Sequence, residues 1–263
     1  MRITHLTLQK MVENREKFAV LTCYDATFAA VLENAGVDVL LVGDSLGNVL
    51  HGSDTTLAVT PEDMIYHTRC VARGSSKALI VTDMPFGSYQ ISPAQAFEHA
   101  VRIIAAGAQM VKIEGGHLMA DTIQFLTRRG IPVCAHIGLT PQSVHQLGGY
   151  KLQGNTEKSA KQLLDDAKML EKSGASFLVI EMVPAKLAKK ITQALSIPTI
   201  GIGAGADCSA QVLVLHDMLG LSQGKKPRFV KDFMLGAQSI PEAVANYVQA
   251  VKTGQFPAKE HEF

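Results

Sequence analysis

From Phe18 onward the chain alternates short apolar runs, rich in Val, Ile and Leu, with longer stretches whose apolar residues recur every three or four positions. Eight runs predict strands: FAVLTCYD at 18–25, DVLLVGDS at 38–45, ALIVTDMP at 78–85, MVKIEG at 110–115, PVCAHIG at 132–138, SFLVIEMV at 176–183, IPTIGIGAG at 197–205 and QVLVLHD at 211–217. Most are continuously apolar rather than alternating, as strands covered on both faces of a parallel sheet must be. Between them TFAAVLENAG, PEDMIYHTRCVARG, SPAQAFEHAVRIIAAG, LMADTIQFLTRRG, EKSAKQLLDDAKMLEKSG and PAKLAKKITQALS carry helical periodicity. Gly36, Gly74, Gly107, Gly130 and Gly174 stand after the last apolar turns as C′ glycines, and Thr60-Pro61 and Ser92-Pro93 read as an N-cap followed by an N1 proline. Strand-then-helix units at this spacing predict a (β/α)8 TIM barrel, with an extra N-terminal helix near residues 5–16 and further helices at the C-terminus. Residues 1–263 are expected to form one barrel domain that carries the catalysis. The competing reading is an open doubly wound sheet with IGIGAG as a dinucleotide fingerprint. It is the weaker one: Gly201, Gly203 and Gly205 fall late in the chain, at the wrong spacing, and suit a close approach at a barrel rim.

Charge narrows the partners. Lys and Arg number 25 against 24 Asp and Glu, a net charge of +1, which leaves no basic excess for nucleic acid. The four cysteines, Cys23, Cys70, Cys134 and Cys208, lie far apart with no Cys-x-x-Cys pair, so neither a zinc site nor a disulfide framework is expected. The N-terminal stretch lacks a signal-peptide core and no apolar run is long enough to span a bilayer, so a cytoplasmic protein without membrane contact is expected.

In a barrel of this kind the working residues stand at the C-terminal strand ends. There the sequence places Tyr24 and Asp25, Asp44 and Ser45, Asp83, Lys112 and Glu114, His136, Glu181, and His216 with Asp217. A single carboxylate at such a position commonly caps the next helix. Asp44, Asp83, Glu114 and Glu181 differ in lying within apolar runs, where an ionised group is costly unless paired, metal-bound or functional. Lys112 and Glu114 are two apart on one strand and therefore share a face, which must point into the barrel if Val111 and Ile113 pack on the helices. Converging carboxylates with few His and no Cys partner favour a hard cation such as Mg²⁺, with Asp44 and Asp83 the best ligand candidates. A metal with open positions can chelate a 2-oxo acid and acidify the adjacent C–H, and Glu181, alone at the end of its run, is the candidate base.

LLVGDSLGNVLHGSDTTLAVT, VTDMPFGSY, AGAQMVKIEGG, VCAHIGLTPQSV, LGGYKLQG, FLVIEMVP, IPTIGIGAG and FPAKEHEF, in this order and spacing, resemble the ketopantoate hydroxymethyltransferase family from about residue 3 to the C-terminus. The resemblance implies transfer of a one-carbon unit from 5,10-methylenetetrahydrofolate to 3-methyl-2-oxobutanoate, giving 2-dehydropantoate for pantothenate synthesis. It implies Mg²⁺ held through Asp44 and Asp83, with Glu114 in or just outside the coordination shell. Asp44, Ser45, Asp83, Lys112 and His136 would meet the keto acid, and Glu181 would be the proton acceptor. It further implies a homodecamer. The chain departs from the family pattern at Ala206-Asp207-Cys208-Ser209-Ala210, where an Asp-Gly pair is common, and at Ala135 and His117. A related Mg²⁺-dependent 2-oxo acid aldolase or lyase on the same barrel is the nearest alternative. A catalytically inactive oligomeric binding scaffold is the alternative of another class, and it predicts decay among the charged strand ends that the sequence does not have.

Overall fold

A computed structural model describes residues 2–222 and 226–263. The apolar runs form β1 (Phe18–Thr22), β2 (Val39–Val42), β3 (Leu79–Asp83), β4 (Met110–Glu114), β5 (Val133–Gly138), β6 (Phe177–Glu181), β7 (Thr199–Ile202) and β8 (Ala210–Leu213), which close in sequence order into a parallel barrel. Alternate side chains face opposite ways. Phe18, Val20, Leu41, Val81, Met110, Phe177 and Val179 fill the barrel, whereas Leu21, Leu40, Ile80, Val111, Ile113 and Ile180 pack outward under the helices. Continuous apolar runs are thus explained by two cores, one on each side of a single sheet.

The helices are α1 (His5–Glu13), α2 (Ala26–Asn34), α3 (Leu46–Val49), α4 (Pro61–Gly74), α5 (Pro93–Ala105), α6 (Ala120–Thr127), α7 (Val144–Leu147), α8 (Glu157–Lys172), α9 (Ala185–Ala194), α10 (Leu215–Met218) and α11 (Ile240–Lys252). The expected N-caps are present: Thr60 forms a capping box with Asp63, and Ser92 accepts from the amide of Gln95. The N-terminal helix ends at Glu13, and its Leu8 is fully buried against the inner core. None of the described helices is long and apolar enough to cross a membrane.

Two expectations need correction, and one connection departs from the strand-then-helix repeat. Gly74 is the last residue of α4 rather than a left-handed C′ glycine; it lacks a side chain because α4 crosses the backbone of Ala26 there. Strand β8 stops at Leu213, so His216 and Asp217 sit on the short α10. Between β7 and β8, where the sequence predicts no helix, residues 203–209 turn directly into β8. That turn is made without the family's glycine: the Lys17 ammonium holds the Ala206 and Cys208 carbonyls at 2.8 and 2.5 Å, and the Ala210 methyl joins the inner core. Gly203 (φ 60°) gives way to the rings of Phe229 and Phe263, so its close neighbours are side chains of this chain. Outside β8 and β1, α11 takes the place of a closing helix, its buried Tyr247 hydroxyl lying 2.9 Å from the carbonyls of both Val20 and Gln211.

Candidate active site

Register brings the charged strand ends together. Parallel pairing sets Asp83 beside Lys112, Glu114 beside His136 and Gly138 beside Glu181, all on the inward-facing positions at the top of the barrel. Lys112 Nζ lies 3.1 Å from Asp83 Oδ1, 3.5 Å from Glu114 Oε1 and 3.1 Å from His136 Nδ1. The imidazole is 3.4 Å from Glu114 Oε1 through Nδ1 and 3.2 Å from Glu181 Oε2 through Nε2. Asp44, just past β2, donates its backbone amide to Asp83 Oδ2 at 2.9 Å. Ser45 is tied to the Tyr24 hydroxyl at 2.9 Å. The six inward residues predicted from the strand ends, with Ser45, therefore border one cavity of about 820 Å³. Asp25 does not work in it as a charge: it caps α2, accepting from the amide of Phe28.

Glu181 differs from the rest. Its side chain keeps 15% of its exposure, against 3% for Asp83 and Glu114, so it stands where the cavity opens. Its run is apolar in sequence, but its carboxylate faces the His136 ring and the cavity. Met182, the next residue, takes a left-handed φ of 49°, unusual for a non-glycine and costing about 1 kcal/mol. Two backbone bonds hold that turn, Met182 N–H to Ile202 O at 2.9 Å and Gln153 N–H to Met182 O at 2.8 Å. Gly138 (φ 91°) lets β5 pass against the Glu181 backbone, where a Cβ has no room.

Two residues escaped the strand-end reading. Gln142, in the turn after β5, donates its side-chain amide to Asp44 Oδ2 at 2.8 Å and to Met84 O at 2.9 Å, and its backbone amide to Glu114 Oε2 at 3.0 Å. The Tyr89 hydroxyl donates to the Gln142 amide oxygen at 2.7 Å, which orients that amide. The signal available was the polar TPQS segment directly after an active-site strand. At Gln142 this loop enters the buried site, whereas Tyr150 stands half-exposed at the lip.

The electrostatics are unbalanced. Burial, then the charges of Asp83 and Glu114, push the Asp44 carboxyl well above the usual carboxylate range. Burial also raises Asp83, against the pull of Lys112. For Lys112 burial works downward, yet Asp83, Glu114 and Asp44 outweigh it and hold the ammonium well above its ordinary value. Burial would raise Glu114, but Lys112 and His136 keep it low. Burial and Lys112 oppose protonation of His136, whereas its bonds to Glu114 and Glu181 carry it up to about 9. Four carboxyl groups thus face two cationic side chains, and the raised Asp44 and Asp83 carboxyls register that shortage of positive charge. Asp83 Oδ1 is buried with no hydrogen bond, the nearby Lys112 ammonium being misaligned with it.

This donor set fits a divalent hard cation such as Mg²⁺: all-oxygen, short of positive charge and with a buried carboxylate oxygen that has no hydrogen bond. Among the described residues no three His, Cys, Asp or Glu side chains form a cage by themselves. A cation here would keep positions for other ligands, with Asp44 and Asp83 as protein donors. Both Glu114 oxygens are already engaged, one near Lys112 and His136 and the other with Gln142.

The profile of the family described as "Ketopantoate hydroxymethyltransferase" matches residues 2–259. A "3-methyl-2-oxobutanoate hydroxymethyltransferase" of Nitrosomonas eutropha is 68% identical over 262 residues, covering 100% of this chain and 97% of its own. One of Nitrosospira multiformis is 66% identical over 263 residues, covering 100% of both. Among solved structures, a putative phosphonomutase from Burkholderia cenocepacia aligns with TM-score 0.63 at 16% identity, over 82% of this chain and 95% of that one. A 2,3-dimethylmalate lyase of the PEP mutase/isocitrate lyase superfamily aligns with TM-score 0.59 at 20% identity, over 84% and 83%. These two share the barrel.

Proposed function

The chain belongs to the ketopantoate hydroxymethyltransferase family, and from that premise we propose that it transfers a one-carbon unit from 5,10-methylenetetrahydrofolate to 3-methyl-2-oxobutanoate, forming 2-dehydropantoate, with Glu181 as base. The observation that carries this reading is the position of Glu181, on the open side of the same cavity as the under-neutralised cluster of Asp44, Asp83 and Glu114. A bound Mg²⁺ would supply Lewis-acid polarisation of the 2-oxo group and offset the charge of the enolate. Asp44 and Asp83 would hold it, and Gln142 fixes Asp44 Oδ2 with its side-chain amide and Glu114 Oε2 with its backbone amide.

The chain's own residues divide the remaining work. The Lys112 ammonium and the Ser45 hydroxyl, oriented by Tyr24, face the acid's oxygens. Glu181 takes the C3 hydrogen as a proton, the electron pair passes into the C2–C3 bond, and C3 then attacks the methylene carbon of the donor. Both C–N bonds of that methylene break, water furnishes its hydroxyl, and the two donor nitrogens take up the proton removed from C3 and the second proton of the water. His136, 3.2 Å from Glu181, steadies the carboxylate before the transfer and lies beside the substrate oxygens. The reading also carries one catalytic domain over residues 1–263, a cytoplasmic location and a homodecamer. Exposed Leu6, Tyr66, Ile91 and Leu118 supply apolar surface for assembly, and light scattering should return the mass of ten subunits.

Glu181→Gln tests the base. Exchange of the C3 hydrogen of 3-methyl-2-oxobutanoate in D₂O, followed by NMR, should fall by roughly 10²–10⁴-fold, with keto-acid binding retained. Exchange at the wild-type rate would place the base elsewhere.

A further inference from the structure

In the reading above the keto acid and a metal would occupy only the charged side of the cavity, at Asp44, Asp83 and Lys112. At about 820 Å³ the cavity is of the size that takes a drug-sized ligand, far more than a small branched acid fills. Its other side is built by the segment after β8, which in an eight-stranded closed barrel stands across from β4 and therefore from Lys112 and Glu114. Here the wall is apolar, with Val214, Leu221 and Phe229, and carries two polar groups that the proposed chemistry leaves unused: His216 and Asp217 of α10. The Tyr24 and His216 rings lie 5.7 Å apart, tilted by 44°. His216 Nδ1 is buried with no partner among the described residues, and burial lowers the imidazole's pKa against the pull of Asp217, favouring the neutral ring. Asp217 accepts from the Ser222 hydroxyl through Oδ1. Lys226, the cation on the same wall, pairs with Asp232 instead, at 3.1 Å.

We propose that Asp217, with His216 beside it, recognises the flat aminopyrimidinone edge of the one-carbon donor, while Leu221 and Phe229 bracket its ring. The inference rests on the folate-dependent reading above and deepens it. The chemistry is complementary. The reduced pterin presents a ring N–H and an exocyclic amine side by side, two parallel donors that one carboxylate can accept together, as it accepts a guanidinium fork. The neighbouring ring carbonyl can be met by a neutral imidazole donating through one nitrogen. Leu221, 57% exposed at the mouth of the cavity, is covered once a heterocycle lies against it. With its polar edge at α10, the donor's methylene end points back toward β5 and β6, where Glu181 stands.

The test uses the full-length protein with Mg²⁺ and 3-methyl-2-oxobutanoate. Asp217→Asn should raise KM for 5,10-methylenetetrahydrofolate by roughly 10- to 100-fold, the range expected for hydrogen bonds to a charged acceptor. Folate-free C3 exchange in D₂O should stay within about twofold of wild type, which also establishes that the variant is folded. A donor analogue lacking the 2-amino group should cost the wild type most of that factor and cost Asp217→Asn little more, since both changes remove the same contact. An unchanged KM for the donor, or equal and additive losses in both proteins, overturns the proposal. So does a parallel loss of folate-free exchange, which would put Asp217 on the keto-acid side. Failure of the function reading shows in the wild type alone, as turnover that needs no folate; failure of this inference shows only in the ratio of variant to wild type.

Discussion

Carboxylates stand at both ends of this barrel, and their surroundings are opposite. At the bottom each is tied into a helix-to-strand connection. Glu33 accepts from the amides of Ser76, Lys77 and Ala78 and from the Ser75 hydroxyl, just ahead of β3. Asp38 accepts from the Ala19 amide and pairs with Lys252 at 2.9 Å. Glu171 accepts from the amides of Ser196 and Ile197 ahead of β7. At the top, Asp44, Asp83 and Glu114 share one lysine and one histidine, and Asp83 Oδ1 has only the Lys112 ammonium beside it, without hydrogen-bond alignment. A buried carboxylate is therefore no guide to function by itself. One answered by backbone amides, hydroxyls or its own lysine stabilises the fold, and one left short of positive charge is held for a ligand.

The sharpest way to break the comparison is to neutralise one carboxylate at each end. Asp83→Asn should lower kcat/KM by about 10²–10³-fold, since the hard-cation site loses a charged donor. The metal-free variant should melt no lower than wild type, because a like charge has been removed from the cluster. Steady-state kinetics and thermal denaturation in a chelator check the two halves. A large drop in melting temperature would mean that Asp83 belongs with Glu33, as a structural group.

Next in size is the metal itself. A ligand that binds only the folded state at a hundred times its Kd adds about 2.7 kcal/mol, or about 2–4 °C for each kcal/mol in a domain of this length. Mg²⁺ should therefore raise the melting temperature of the wild type and leave that of Asp83→Asn much less changed. Equal shifts in the two proteins would remove this end of the barrel as the binding place.

How much of the two ends could be read beforehand follows from the physics of each. The top was legible because period-two alternation fixes which strand residues point inward, so Asp83, Lys112, Glu114, His136 and Glu181 could be placed on one face before any register was known. Gln142 and Tyr89 were not, because they arrive on loops whose path no periodicity specifies. The βα repeat predicted the barrel, but its seventh unit has no helix: Lys17 and the packed Ala210 close the turn over residues 203–209 directly into β8. The bottom carboxylates were invisible as such. Glu33, Asp38 and Glu171 look like ordinary helix and loop charges until the connections they bind are folded around them.

The smallest effect tests the bottom of the barrel and carries a sign that geometry alone does not. For Glu33 burial works to raise the carboxyl, and the bonds from Ser75, Ala78, Lys77 and Ser76 outweigh it, holding the group at about 2 against an ordinary 4.5. The unfolded chain then takes up its proton first as pH falls. The stabilisation is fully present above about pH 4.5 and is lost as pH drops toward 2. Because the carboxylate is only partly buried, solvent screening reduces its contribution to about 1–2 kcal/mol. Glu33→Gln should therefore be less stable by that amount in urea denaturation at pH 6, with kcat/KM unchanged, and the gap should narrow as the titration is carried below pH 4. A gap that stays constant down to pH 3 would show that the side chain works there through shape and neutral hydrogen bonds. The two ends of the barrel would then differ in packing and no longer in how they answer charge.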